Sequence, residues 1–221
     1  MKNIPAVCVD NFYSDPDRIR EFALAQEFMS SKSGEWPGVR TKDLHLIDEK
    51  FFNLFCDKLF SLFFNLKHTQ IKYQIKTNFQ IVSSMAPDPT SPKNSGWIHV
   101  DQDTVFAGVI FLTPDIDLNC GTSIFKLVDQ DKLDHTNTKV DFYKNKIDNH
   151  YDGRITKHRD AYVETIRFNN IYNRLVCFDS ESSHGANSFY SSTEPRLTQV
   201  FFVRKLVMDE LSPISRHRQY L

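Results

Sequence analysis

Apolar and polar positions follow two different periods along the chain, and the point where the period changes divides it. Between about Asp48 and Lys67 the polar residues Asn53, Asp57, Ser61 and Asn65 recur every four positions. Phe51, Phe55, Leu59, Leu62 and Leu66 lie opposite them. That spacing predicts an amphipathic helix whose apolar stripe needs a broad partner such as a sheet. Upstream, AVCVD reads as a short strand. A first helix then starts with Asp15 as cap, Pro16 at the first helical position, Asp17 favoured by the helix dipole, and Ile19, Phe22 and Ala23 facing inward. From Ile71 the period becomes two. The runs IKYQIKTNFQIVSSM, GWIHVD, VFAGVIFLTP, GTSIFKLV, RLVCFDS and RLTQVFFVRKL read as strands bounded by turns. Two helices followed by six strands predict an α+β, mainly β domain built on a β-sandwich or jelly roll, with the helices at its N-terminal side.

Residues 129–170 are polar, charge-rich and without period, and they are too many for a hairpin loop. They are expected to form an excursion at one end of the sandwich, with a short helix and a lid or substrate-binding role. The chain therefore reads as one domain over 1–221, with helical support in 1–70 and the β core in 71–206. Its length suffices to bury a core without disulfide or metal staples. Hydrophobic residues at 40% and charged residues at 25% indicate a globular protein, and the 19 phenylalanines suit a thick aromatic core. The longest apolar run, Val105 to Leu112, is too short to span a bilayer.

A formal net charge of -1 without blocks of like charge disfavours nucleic acid and anionic membranes as partners. Arg216, His217 and Arg218 read as a solvated end. Cys8, Cys56, Cys120 and Cys177 lie far apart with no C-x-x-C, and the N-terminus lacks an apolar signal-like run, so a reducing cytoplasm is the expected compartment. The 7 glycines form no phosphate-cradling motif.

The chemistry concentrates at three places. In WIHVD, His99 and Asp101 are two apart and would share one face of a strand; His184 follows later in SSHGANSF. Two imidazoles and a carboxylate are the facial triad with which non-haem Fe²⁺ leaves positions open for a cosubstrate and O₂. A solvated His and Asp on an outer strand face would give the same H-x-D pattern. The third place separates the readings: in RLTQVFFV, Arg196 and Thr198 share a face with Val200 and Phe202. A guanidinium on an apolar interior face needs an anionic partner. Its own strand offers none, so a carboxylate from another strand or a bidentate dicarboxylate ligand would have to serve.

With these residues the sequence resembles the Fe²⁺- and 2-oxoglutarate-dependent dioxygenases of the prolyl-hydroxylase-like and phytanoyl-hydroxylase-like kind. The match lies in His99, Asp101, His184 and Arg196, in Gln80 on the strand before H-x-D, and in Gly121, Thr122 and Phe125 of GTSIF. It covers about Asn78 to Val203. DNFYSDPDRIREFA and WPGVR are more loosely similar to small oxygenase-like proteins of bacteria and phages. The resemblance implies a double-stranded β-helix with the metal between its sheets. His99, Asp101 and His184 would ligate iron, Arg196 would bind the distal carboxylate of 2-oxoglutarate, and Thr198 would assist it. Gln80 and Asn78 would contact cosubstrate or substrate. It also implies hydroxylation with release of succinate and CO₂, and the presence of Asp101 argues against halogenation. The substrate stays open between a small molecule and a protein side chain.

This chain departs from the family pattern in three ways. Cys120-Gly121 stands where Gly-Gly is frequent, the insertion is large, and the His184 to Arg196 spacing is slightly long, which leaves Arg204 as a rival anion binder. Other residues have plainer readings. Trp97, Phe106, Phe111 and Phe125 suit the core, as does Cys177. Asn173 and Arg174 suit a turn and an edge. His45, His68, His135, His150, His158 and His217 suit the surface, with His150 and His158 also within reach of a substrate. Asp103 should point as Asp101 does, at greater distance, and Asp179 and Glu181 either orient His184 or are solvated. A cupin-like module that binds metal or ligand without turnover is the alternative function. A zinc hydrolase on the same three ligands is a further rival, lacking an identifiable general base.

Overall fold

A computed structural model describes residues 6–133, 136–145 and 150–208. His135 and the basic tail at Arg216, His217 and Arg218 lie outside these residues, as does the side chain of His150. In chain order the elements are β1 (Val7–Val9), α1 (Pro16–Leu24), β2 (Met29–Ser30), β3 (Val39–Arg40), α2 (Leu44–Ile47), α3 (Glu49–Ser61), β4 (Ile71–Val82), β5 (Phe106–Phe111), β6 (Thr122–Leu127), α4 (Thr136–Asn145), α5 (His150–Arg159), β7 (Tyr162–Phe168), β8 (Leu175–Asp179), β9 (Ser183–Ala186) and β10 (Arg196–Met208).

The strands form two antiparallel sheets, one ordered β1-β8-β5-β10-β4-β3-β2 and the other β7-β6-β9. Strand β10 runs through the middle of the large sheet, pairing with β4 over nearly its whole length and with β5 from Thr198 to Val203. Its period-two pattern sorts two cores. Leu197, Phe201 and Val203 pack with Phe55, Leu59, Phe60 and Phe106 against the helical layer. Val200 faces Ala107, Val109, Phe111, Phe178 and residues of the small sheet, Ile124 and Phe168. Both sheets and the helices are thus held by burial of apolar area, about 1.5–3 kcal/mol for each fully buried large side chain.

Local chemistry sets the helix starts. Asp15 accepts a hydrogen bond from the Arg18 amide, with Pro16 in the first turn, and Asp48 accepts one from the Phe51 amide. Ala23 is buried, and Ile19 and Phe22 pack on the core. The second helix stops at Ser61 instead of reaching Lys67. Phe63 and Phe64 are both drawn into the core, and the Asn65 side chain accepts from the Lys67 amide to start a new turn. Leu62 and Leu66, expected on the buried stripe, are therefore 37% and 38% exposed.

The excursion differs from its expectation in two respects. It carries two helices, α4 and α5, and its last part is strand β7, which pairs with β6 from Thr122↔Phe168 to Leu127↔Tyr162. Five consecutive residues of β7, from Val163 to Arg167, are exposed, so no alternation marks it in sequence; pairing with β6 creates it. Among the described residues no helix is long and apolar enough to cross a membrane.

Candidate metal centre

WIHVD does not join a continuous ladder. It makes one isolated antiparallel bridge, His99 with His184, in which each amide donates to the other's carbonyl at 2.9 and 2.8 Å. The Gly96 amide donates to the Ala186 carbonyl at 2.9 Å, and a Cβ on Gly96 would stand 2.7 Å from the Ala186 nitrogen, so the close approach needs glycine. The other edge of the segment is held by side chains from α4 and α5. Arg159 donates to the Gly96 carbonyl at 2.6 Å, the Tyr143 hydroxyl accepts from the Trp97 amide at 3.2 Å, and His158 Nε2 lies 2.8 Å from the Ile98 carbonyl. That carbonyl can only accept, so Nε2 carries the proton. Trp97 is 2% exposed and stacks on His158 with ring centroids 4.5 Å apart. His158 is therefore a buried support and not a surface group.

This frame brings His99, Asp101 and His184 together, with their ligand atoms all within 4.8 Å of one another. His99 Nδ1 lies 2.8 Å from the Trp97 carbonyl and His184 Nδ1 lies 2.9 Å from the Ser182 carbonyl. Each Nδ1 must be the donor, which leaves the Nε2 atoms of both rings, when neutral, as lone pairs. They face the Asp101 carboxylate, His99 Nε2 at 3.7 Å from one oxygen and His184 Nε2 at 3.3 Å from the other. That second oxygen is buried without a hydrogen-bond partner. Acceptors facing acceptors in a buried spot is an arrangement that a cation between them resolves. Burial, the Lys139 cation and His184 hold His99 well below the usual imidazole range. Burial alone would raise Asp101, but the hydrogen bond and charge of His184, with the charges of His99 and Lys139, outweigh it and hold the carboxyl at about 2.

The neighbours expected to share the site behave differently. Asp103 sits in an exposed turn at φ 56° and does not follow Asp101. The His184 ring is oriented by the Ser182 carbonyl, and the Asp179 side chain accepts from the Glu181 amide in the turn before it. Asn173 lies at φ 62° and clamps the backbone of Tyr13 through both ends of its amide, and Arg174 pairs with Asp10. Cys177 is fully buried core.

The triad opens on a cavity of about 640 Å³ between the sheets. Arg196 lines it, 5% exposed, with Nε donating to the Cys120 carbonyl at 2.7 Å and the guanidinium 5.3 Å from the Phe111 ring. No carboxylate pairs with it among the described residues, and burial lowers its pKa to about 10. Thr198 shares that strand face but is fully buried below the cavity wall, its hydroxyl without a partner. Gln80 lines the cavity with both ends of its amide engaged, donating to the Pro37 carbonyl at 2.7 Å and accepting from Arg40 at 3.1 Å. Asn78 is tied to the Thr41 carbonyl and the Asp43 carboxylate and does not line the cavity, so the expected contact with cosubstrate gives way to a structural clamp. Arg204, the rival to Arg196, reaches the cavity from the exposed end of β10.

Sequence reasoning missed Arg40 and Lys139. Arg40 belongs to the two-residue β3 within WPGVR, and its guanidinium lies 4.7 Å from the Trp36 ring and 5.5 Å from the Phe202 ring. Lys139 enters from α4. Burial lowers Arg40 to about 10 and Lys139 to about 8. Two-residue strands and an aperiodic segment carry no signal for either; only the local likeness of WPGVR pointed near Arg40.

A family model described as a family of unknown function, DUF6445, matches residues 1–195. The chain belongs to the DUF6445 family. No curated protein matches it. Among solved structures, the DUF6445 chain is similar to HygX from Streptomyces hygroscopicus with nickel and 2-oxoglutarate bound, at 8% identity and TM-score 0.53, covering 91% of this chain and 83% of that one. It is similar to a prolyl hydroxylase from Trichoplax adhaerens in complex with a hypoxia inducible factor peptide, at 13% identity and TM-score 0.52, over 96% and 86% of the two chains. The α-ketoglutarate-dependent carbocyclase SnoK from nogalamycin biosynthesis matches at 9% identity and TM-score 0.54, over 91% and 80%. At these identities the likeness establishes the fold that this DUF6445 chain shares with 2-oxoglutarate oxygenases.

Proposed function

We propose that this DUF6445 protein is an Fe(II)- and 2-oxoglutarate-dependent oxygenase on a double-stranded β-helix, and that it hydroxylates its substrate. The observation that carries the reading is the convergence of His99, Asp101 and His184, with ligand atoms all within 4.8 Å of one another and both rings turned by Nδ1 contacts so that Nε2 faces the carboxylate. His99 and His184 would hold the metal through Nε2 and Asp101 through its carboxylate, and the Trp97 and Ser182 carbonyls keep the rings in that orientation. Iron, when bound, supplies the activation of O₂ that couples decarboxylation of 2-oxoglutarate to oxidation of a C–H bond. The balance is C–H plus 2-oxoglutarate plus O₂ giving C–OH, succinate and CO₂. One oxygen atom enters the alcohol and the other enters succinate.

Arg196 would bind the distal carboxylate of 2-oxoglutarate. The burial that disfavours its charge is offset once an anion pairs with it. Thr198 lies behind the cavity wall, on the same strand face, with a hydroxyl free to reorient toward that carboxylate. Val109, Val200 and Phe178 give the cavity an apolar wall, with the Phe178 ring 4.4 Å from that of His184. Gln80 positions Arg40 and so acts on the cavity indirectly.

Anaerobic titration of Fe(II)-loaded protein with 2-oxoglutarate tests this directly. A visible charge-transfer band is expected, lost in His99→Ala and in Arg196→Ala. Folded, iron-replete protein without the band would transfer the assignment to a jelly-roll module that binds without turnover.

A further inference from the structure

We propose that the substrate of this site is an acid, a compact molecule whose carboxylate or phosphate is held by Arg40 and Lys139 while its apolar body lies against Trp36 and Phe202. The proposal rests on the oxygenase reading for the word substrate. The anion site itself rests on the geometry of the cavity.

The cavity has cations at two separate places. Arg196 stands at one end of β10, over Phe111. Arg40 is anchored on β3 opposite Gln80 and its guanidinium stands over Phe202, six residues along β10 from Arg196, with neither cation among the charges that act on the other. One 2-oxoglutarate anchored at Arg196 does not serve both. Lys139 joins the Arg40 end from the opposite side: its charge is repelled by Arg40 and attracted by Asp101 and Glu35. Five basic side chains line the cavity against two acidic ones, Glu35 and Asp101. Asp101 is committed to the metal centre, and Glu35 is exposed. Metal loading therefore removes the main counter-charge of Arg40 and Lys139 and adds positive charge beside them.

The Arg40 end also has unused donors. Arg40 Nε and Trp36 Nε1 are buried N–H groups without an acceptor among the described residues, a costly state unless a ligand supplies one. Desolvated, mutually repelling cations beside orphaned donors bind an anion strongly. The aromatic rings beside Arg40 supply apolar contact next to that anchor, and the volume, about 640 Å³, is that of a small-molecule site. Arg40 as a purely structural cation, stacked between Trp36 and Phe202, is the competing explanation, and it predicts no preference for acids.

Phenyl phosphate, 3-phenylpropionate and neutral 3-phenylpropanol can be titrated calorimetrically into the full chain, both metal-free and loaded with Mn(II) and 2-oxoglutarate. Both acids should bind at least tenfold tighter than the alcohol in either state, without displacing 2-oxoglutarate, and their order tells carboxylate from phosphate. Arg40→Met and Lys139→Met should each weaken the acids at least fivefold, and Arg40→Met should leave 2-oxoglutarate affinity within twofold. Arg40→Lys should keep much of the preference, and Lys139→Met, on a peripheral helix, guards against an Arg40→Met that fails to fold. Acids no better than the alcohol, or acids displaced by 2-oxoglutarate, would overturn the proposal. Discrimination for acids in metal-free protein that never binds Mn(II) and 2-oxoglutarate would sink the oxygenase reading and leave the anion site standing.

Discussion

The two ends of the cavity present the same group, a guanidinium over aromatic rings, buried at Arg196 and half-buried at Arg40, on frames of opposite kinds. Arg196 belongs to the central strand of the large sheet, with β4 and β5 paired on either side and the main aromatic core behind it. Arg40 belongs to a strand of two residues, and its companion Lys139 to a helix in the excursion. The frame of Arg196 is thus as rigid as the core, which would suit the constant cosubstrate proposed for it. The Arg40 end is assembled from a two-residue strand near the edge of the sheet and a helix of the excursion, outside the central strand's core.

That contrast can be broken most severely from behind. Phe201 is fully buried on the reverse face of β10 and touches the rings of Phe55 and Phe106. Phe201→Ala should cost about 3–5 kcal/mol in urea unfolding, because it leaves a cavity under the strand that carries Arg196. A loss below about 1 kcal/mol would mean that β10 is not the rigid frame argued here. Next in size is Arg196→Met. Truncating a desolvated charge partner costs about 2–5 kcal/mol of binding, so 2-oxoglutarate should bind about a hundredfold more weakly or worse. The thermal midpoint of the ligand-free variant should hold or rise, since an unpaired buried charge is removed; a fall of several degrees would assign Arg196 a structural role instead.

Tyr143→Phe sharpens the comparison from the outer side. It removes the acceptor for the Trp97 amide and loosens the segment that carries His99. Metal affinity should drop about tenfold, a typical cost for disturbing the groups that support ligands. Global stability should change by less than about 2 kcal/mol, checked by competition with a chelator alongside thermal melts. The smallest effect belongs to a site remote from both ends. Asp48→Ala removes the cap of α3 and should cost about 1 kcal/mol of stability while leaving metal and 2-oxoglutarate binding untouched. Any change in binding there would show that the helical layer and the cavity are coupled.

Some of this was legible without coordinates, for identifiable reasons. Asp15 and Pro16 announce α1 through local backbone chemistry, and the alternation in RLTQVFFV states which residues of β10 face the cavity. The spacing of His99 and Asp101 correctly predicts that they meet, although WIHVD is a bridged extended segment and not a ladder strand. Asp103 departs from the direction of Asp101 because alternation holds only while a strand continues, and the chain turns at Asp103 with φ 56°. Strand β7 was hidden because five of its side chains in a row are exposed. Arg40, Lys139, Tyr143 and His158 act through residues far away in sequence, so no local pattern could contain them.

Periodicity and capping by themselves determined where α1 and α3 begin, which residues of β10 share the face of Arg196, and the pairing of His99 with Asp101, because each depends on residues close together in one strand or turn. Tertiary structure alone decided where α3 ends, that β7 pairs with β6, that side chains of α4 and α5 hold the open edge of the metal segment, and that a second cationic end faces the first. Those outcomes depend on packing and pairing between segments dozens of residues apart, and the free energy that selects them exists only once the segments meet.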